Sequence, residues 1–215
     1  MVKTKQARFE ISTENIEKKE NKVSPLSSNK VQIFTIGFTK KSLKEFIQLL
    51  KKKYVEKVID IRLRPYGQLA GYSNKEDLRY VLEEYEKIKY QHELLLAPTN
   101  EMLVNYRKDM DWVAYEKRFN ELLKERNVGE LFESITNGFT RICLLCSEDR
   151  PDKCHRRLVA EYFSRIAPNT FEIIHITRDD LEKSSNLRGL DKITKPINVV
   201  AEPEEDFNNE YSKNG

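Results

Sequence analysis

Between residues 31 and 177 the chain alternates short apolar runs with stretches whose apolar residues recur every three or four positions. This alternation restricts the fold more than any other feature. VQIFTIG (31–37), VEKVIDIR (55–62), IKYQHE (88–93), TRICLLC (140–146) and FEIIHIT (171–177) have the length and composition of strands. SLKEFIQLLKKK (42–53) sets Leu43, Phe46, Ile47 and Leu50 at helical spacing behind a capping Ser42. NKEDLRYVLEEYEK (74–87) predicts a helix capped by Asn74, and residues 99–126 predict one or two helices with Met102, Tyr106, Met110, Val113, Phe119 and Leu122 on the apolar side. A further helix is expected over 128–136. Another is expected over KCHRRLVAEYFSRI (153–166), with Leu158, Val159, Tyr162, Phe163 and Ile166 facing the core. Such alternation predicts an α/β fold: one Rossmann-like domain over 31–180, its mostly parallel sheet flanked by helices. In sheets of this kind ligands bind beyond the carboxyl ends of the strands. The unusual polar residues collect there, in Gly37-Phe38-Thr39, Asp60 to Pro65, and Ser147 to Arg157.

Outside this region residues 1–30 read as a flexible leader and 187–215 as a mostly disordered tail. The N-terminal segment lacks the apolar run of a signal peptide, and no run reaches the ~18 apolar residues of a membrane span. The expected location is cytoplasmic, with no membrane partner. A net charge of +3 excludes a strong global pull toward nucleic acid but leaves room for a local basic cleft. Three cysteines are too few and too odd in number for a disulfide scaffold, so thiols are expected.

Chemistry concentrates in LLCSEDRPDKCHRR (144–157). Cys146 ends a strand, and Cys154 falls in the first turn expected of the next helix. There free N–H groups, the helix dipole and the cations Arg156 and Arg157 favour a thiolate. His155 is a proton carrier beside it, and Glu148 supplies a carboxylate. A four-ligand zinc set of Cys143, Cys146, Cys154 and His155 is disfavoured, because residues three apart on a strand point to opposite faces. A set of Cys146, Cys154 and His175 is a second arrangement, and no metal ligand is assigned. In DIRLRP (60–65) alternation puts Asp60, Arg62 and Arg64 on one side, as an anion-binding floor or as an internal Asp–Arg pair. Gly37 turns the chain after the first strand and Tyr90 shares a face with His92, so both are candidate contacts. Lys40 and Lys41 are expected at the surface.

Taken in order, TIG-x-T (35–39), DIR-x-x-P (60–65), Tyr90, Tyr106 with Met110, Phe119, LLCSE with CHR, and HI in the last strand resemble the domain of unknown function 488 family over about 31–178. The resemblance implies an α/β fold and marks Asp60, Arg62, Cys146, Glu148, Cys154, His155 and Arg156. Two positions depart from the family pattern. Phe38 stands where the family usually has His, and LLLAPTN (94–100) stands where it usually has a Gly-Gly pair. The family supplies no reaction.

Three readings follow. In the first, an enzyme uses Cys154, His155, Glu148 and Cys146 on a substrate held by Asp60, Arg62, Arg64, Arg156, Gly37 and Tyr90. An arginine-rich strand end suits a nucleotide or nucleic acid, with Tyr66, Tyr72 and Tyr90 for base stacking. In the second, the same cleft binds a phosphorylated ligand without turnover. In the third, the Cys-His cluster is a structural metal or redox staple. The expected partners are an anionic small molecule or a nucleic acid; the sequence specifies no cofactor and no protein partner.

Overall fold

Val31–Gly37, Lys57–Asp60, Lys89–His92, Arg141–Cys146 and Phe171–His175 form strands β1 to β5 of one sheet. Their order is β3-β2-β4-β1-β5 and every pairing is parallel. The computed structural model describes residues 31–67 and 71–181. The expected leader (1–30) and tail (187–215) lie outside the described residues. The period-two alternation sorts the strand side chains cleanly. Ile33, Ile59, Ile142 and Leu144 face one side, and Phe34, Ile36, Val58, Cys143 and Leu145 the other.

Helices α1 (Leu43–Lys52) and α2 (Lys75–Tyr80) cover the second face. Helix α3 (Asn100–Asp109) follows β3. Helices α4 (Trp112–Glu125), α5 (Val128–Thr136) and α6 (His155–Ile166) cover the first face. Each large apolar side chain moved from water into these two layers contributes roughly 1.5–3 kcal/mol. The chain leaving β2 therefore passes to one face and the chain leaving β4, its neighbour, to the other. That divergence opens a crevice between their carboxyl ends.

Ser42 caps α1 as its sequence predicts. Its hydroxyl accepts the Glu45 N–H at 3.2 Å, and the Glu45 carboxylate accepts the Ser42 N–H at 2.8 Å. Asn74 does not cap α2: its side chain accepts the Gly67 N–H at 3.0 Å, and α2 runs on into a π-helical turn over Val81–Tyr85. The 99–126 region is two helices, broken at Met110 in the left-handed conformation (φ 56°). The break resets the helical phase. Met110 and Val113, expected inside, are 62% and 78% exposed, and Tyr115 takes the buried position. Ile166, at the end of α6, is exposed as well. No helix among the described residues is long and apolar enough to cross a membrane.

Tyr72 clamps the turn after β1. Its hydroxyl donates to the Phe38 and Lys41 carbonyls at 3.1 and 2.9 Å. Burial pushes the phenol up to about 12, with the Glu45 charge adding and Arg62 opposing. A folded value above the unfolded one stabilises the fold fully below about pH 10, and that stabilisation is lost as the pH climbs from about 10 to about 12. Across that window, urea-denaturation midpoints of the wild type should fall faster than those of Tyr72→Phe. Parallel curves would remove Tyr72 as the cause.

Candidate active site

Cys146 is the last residue of β4, with its side chain on the α6 face of the sheet; Cys143, of opposite parity, packs on the α1 face. Burial pushes the Cys143 thiol up, and Cys143 takes no part in the site. Beyond Cys146 the loop 147–154 folds back over β1. The Phe38 N–H donates to the Cys146 carbonyl, and the Thr39 N–H and hydroxyl both donate to the Ser147 carbonyl. Lys41 Nζ meets Asp149 at 2.6 Å, so Lys41, expected at the surface, is buried. Arg156, fully buried, donates to the Glu148 and Asp149 carbonyls from beneath. Gly37 is where the loop crosses β1: a Cβ there would overlap the Glu148 carbonyl and meet Arg156 Nη1 at 2.8 Å.

Cys154 is the residue before α6 rather than part of its first turn; its backbone is extended and its N–H bonds to the Pro151 carbonyl at 3.1 Å. His155 opens the helix. Its Nε2 lies 2.9 Å from the Ile61 carbonyl, and Cys146 Sγ is 3.5 Å from Nδ1 and 3.7 Å from Nε2. A carbonyl oxygen only accepts, so Nε2 carries the proton and the Nδ1 lone pair is left toward the sulfur. The ring also packs edge-on against Phe119, 5.7 Å between centroids. The ligand atoms of Cys146, Cys154 and His155 all lie within 4.8 Å of one another. His175 stands apart, bonded to the Thr35 hydroxyl at 2.8 Å.

The expected thiolate changes place. Burial alone would raise the Cys146 thiol, but a hydrogen bond from Cys154, the Arg156 charge and the Glu148 and Ser147 N–H groups outweigh it and hold Cys146 below the usual range. Cys154 goes the other way: burial, then its bond to Cys146 and the charge there, push it well above, with His155 opposing. The two thiols are thus driven apart, and Cys146 is the more readily ionised of the pair.

The expected anion-binding floor is mostly an internal network. Arg62 Nε and Nη2 bond the Asp60 carboxylate at 2.8 and 2.5 Å, and Nη2 also reaches the Ser73 carbonyl at 2.8 Å. The Tyr90 hydroxyl donates to Asp60 at 2.6 Å. Phe38, the departure from the family pattern, lies 5.1 Å from the Arg62 guanidinium. Asp60, Arg62, Tyr90 and Arg156 thus have internal partners, and Gly37 is covered. These bonds hold the five residues in place around the site, and Arg62 also lines the crevice. Arg64 differs: among the described residues it bonds only Asn100, at 2.9 Å, and it is exposed and faces the crevice.

That crevice is a cleft of about 500 Å³. Cys146, Cys154, His155 and Glu148 line it, and the Glu148 carboxylate has no partner among the described residues. Around them stand the cations Arg64, Arg107 and Lys153 and the aromatics Tyr106, Trp112 and Tyr115. Trp112 stacks on Tyr115 at 5.1 Å, and Tyr115 stacks on Phe119 at 6.0 Å. The aromatic surface of the cleft is therefore this α3–α4 wall. Tyr66 is 62% exposed elsewhere, while Tyr72 and Tyr90 hold backbone and Asp60. Sequence reading missed Arg107, Lys153 and Tyr115; the W-x-x-Y spacing of Trp112 and Tyr115 is the one signal that pointed to the wall.

Residues 42–163, more than half of the chain, match the family model described as domain of unknown function DUF488. The chain belongs to the DUF488 family. No curated protein and no solved structure matches it. The matched DUF488 span holds Asp60, Arg62, Cys146, Glu148, Cys154, His155 and Arg156, and ends before β5.

Proposed function

We propose that this DUF488 protein is an enzyme acting on a nucleotide or on a nucleic-acid end or base, with the Cys146–Cys154–His155 cluster as reactive centre and Glu148 as proton carrier. The observation that carries this reading is the single cleft that joins the cluster and the unpartnered Glu148 to Arg64, Arg107, Lys153 and an aromatic wall. Cations at the rim suit phosphate, and stacked rings suit a base. Its volume, about 500 Å³, falls within the range of small-molecule sites.

Trp112 is the only tryptophan and lines this cleft, so its fluorescence reports occupancy. Titration with the four nucleoside monophosphates and a short single-stranded oligonucleotide should change it saturably. Arg64→Ala should weaken the best binder by roughly 10- to 100-fold, the worth of a charge-assisted hydrogen bond. Mass spectrometry of the incubated ligand should then reveal a product. Binding with no product would favour the non-catalytic module, and no binding by any of these probes would overturn the nucleotide reading. A structural staple is the second reading, favoured by the burial of Cys146 and Cys154, 3% and 2% exposed. It predicts that cysteine substitution lowers stability and leaves ligand affinity unchanged.

A further inference from the structure

We propose that Cys146, Cys154 and His155 are the three protein ligands of a zinc ion whose fourth position opens into the cleft and holds a water beside Glu148. This deepens the reading of the cleft as a reaction centre and rests on it.

Two sulfurs and one imidazole nitrogen form a borderline-soft set of the kind zinc selects. The spacing fits as well. Bonds of about 2.3 Å to sulfur and about 2.1 Å to nitrogen, set at tetrahedral angles, give edges of about 3.6 Å for S···N and about 3.8 Å for S···S. Cys146 Sγ stands 3.5 Å from His155 Nδ1, and all three ligand atoms lie within 4.8 Å of one another. An ion can therefore enter with side-chain adjustment alone.

The surroundings are those of a metal centre. His155 Nε2 donates to the Ile61 carbonyl at 2.9 Å, which fixes the tautomer and turns Nδ1 toward the sulfurs. Cys154 receives Arg156 Nη1 at 3.7 Å. Such N–H···S bonds disperse the charge of thiolate ligands.

The ligand count argues for an open site. Structural zinc takes four protein ligands; catalytic zinc takes three and a water. Among the described residues the group stops at three. Cys143 lies across the sheet and His175 is bonded to Thr35. All three ligands line the cleft, so the vacant coordination position is available to solvent and substrate. Glu148, two residues beyond Cys146, lines the same cleft with its carboxylate unpartnered. A zinc-bound water would pass a proton to that carboxylate: one O–H bond breaks, a carboxyl O–H forms, and hydroxide stays on the metal. This makes the proposed reaction a hydrolysis. Stacked aromatics and exposed cations beside a hydroxide suit a nucleotide presented with its base against Trp112.

The test uses the full chain expressed with added zinc, washed with a weak chelator and analysed by elemental mass spectrometry. One equivalent of zinc is expected, lost in Cys146→Ala, Cys154→Ala and His155→Ala and kept in Cys143→Ala and Glu148→Gln. Cobalt exchanged into the wild-type protein should give thiolate-to-metal charge transfer and the intense visible bands of a tetrahedral site. Azide should shift those bands by entering the fourth position. The cobalt spectrum of the wild type decides the matter even where a ligand variant fails to fold. Folded protein that takes up neither metal overturns the site, and a cobalt spectrum indifferent to azide overturns its open position. Turnover by metal-free protein sinks the zinc while sparing the enzyme. Bound, azide-sensitive metal with no turnover of any nucleotide supports the site and sinks the nucleotide reading instead.

Discussion

Asp60→Asn should destabilise the fold by about 3–5 kcal/mol, the loss seen when one partner of a buried ion pair is removed. Asp60 is fully buried and the Arg62 side chain is 5% exposed. Asparagine keeps the shape and a hydrogen-bonding oxygen for Tyr90, but it leaves the Arg62 guanidinium with neutral partners in a site that excludes water. The expected result is a urea-denaturation midpoint well below wild type at unchanged slope. The double variant Asp60→Leu/Arg62→Met removes both charges and should recover much of the loss, since a buried pair replaced by apolar groups is often neutral. A cost below about 1 kcal/mol for the single variant would mean that water reaches the pair, as at an exposed salt bridge. Arg62 would then be free to serve as the ligand contact its sequence suggests.

The second large effect belongs to Glu148. Replacing it with Gln should reduce turnover of the cleft's substrate by roughly 100- to 10,000-fold, the usual contribution of a positioned proton carrier. Glu148 is exposed, its carboxylate bonds no described residue, and its backbone carbonyl, which holds the Arg156 bond, is untouched by the change. Folding stability and Trp112-reported ligand affinity should stay at wild-type values. Full turnover in Glu148→Gln would remove Glu148 as the proton carrier.

The fold was largely legible because hydrophobic period is a local property. VQIFTIG and TRICLLC could be little other than buried strands, and the Ser42–Glu45 capping box is written in adjacent residues. The break at Met110 was not legible, since a left-handed residue that is not glycine leaves no compositional mark. That missed break moved Met110 and Val113 to the wrong side and hid Tyr115. The site was legible in its members and not in their roles. Cys146, Cys154, His155 and Glu148 share a short segment, so proximity was readable. Which sulfur is the more readily ionised depends on the groups around each, and Cys154 lies just outside the helix whose dipole was expected to ionise it. Lys41 misled most: it looks solvated in sequence, yet it is buried against Asp149, a carboxylate 108 residues away.

The strand order has a consequence for how the protein comes into being. β4 is the fourth strand to be synthesised but lies between β1 and β2, which never pair with each other. Until residue 146 has left the ribosome, β1 has no neighbour and β2 is paired on its β3 side alone. The first hundred or so residues of the domain therefore wait, with apolar strands unpaired, for a hexapeptide to insert between them. Long-range parallel pairing of this kind is slow and exposes aggregation-prone edges on the way. Because β4 is both the keystone and the carrier of Cys146, the Cys146–Cys154–His155 cluster comes together only when the sheet closes.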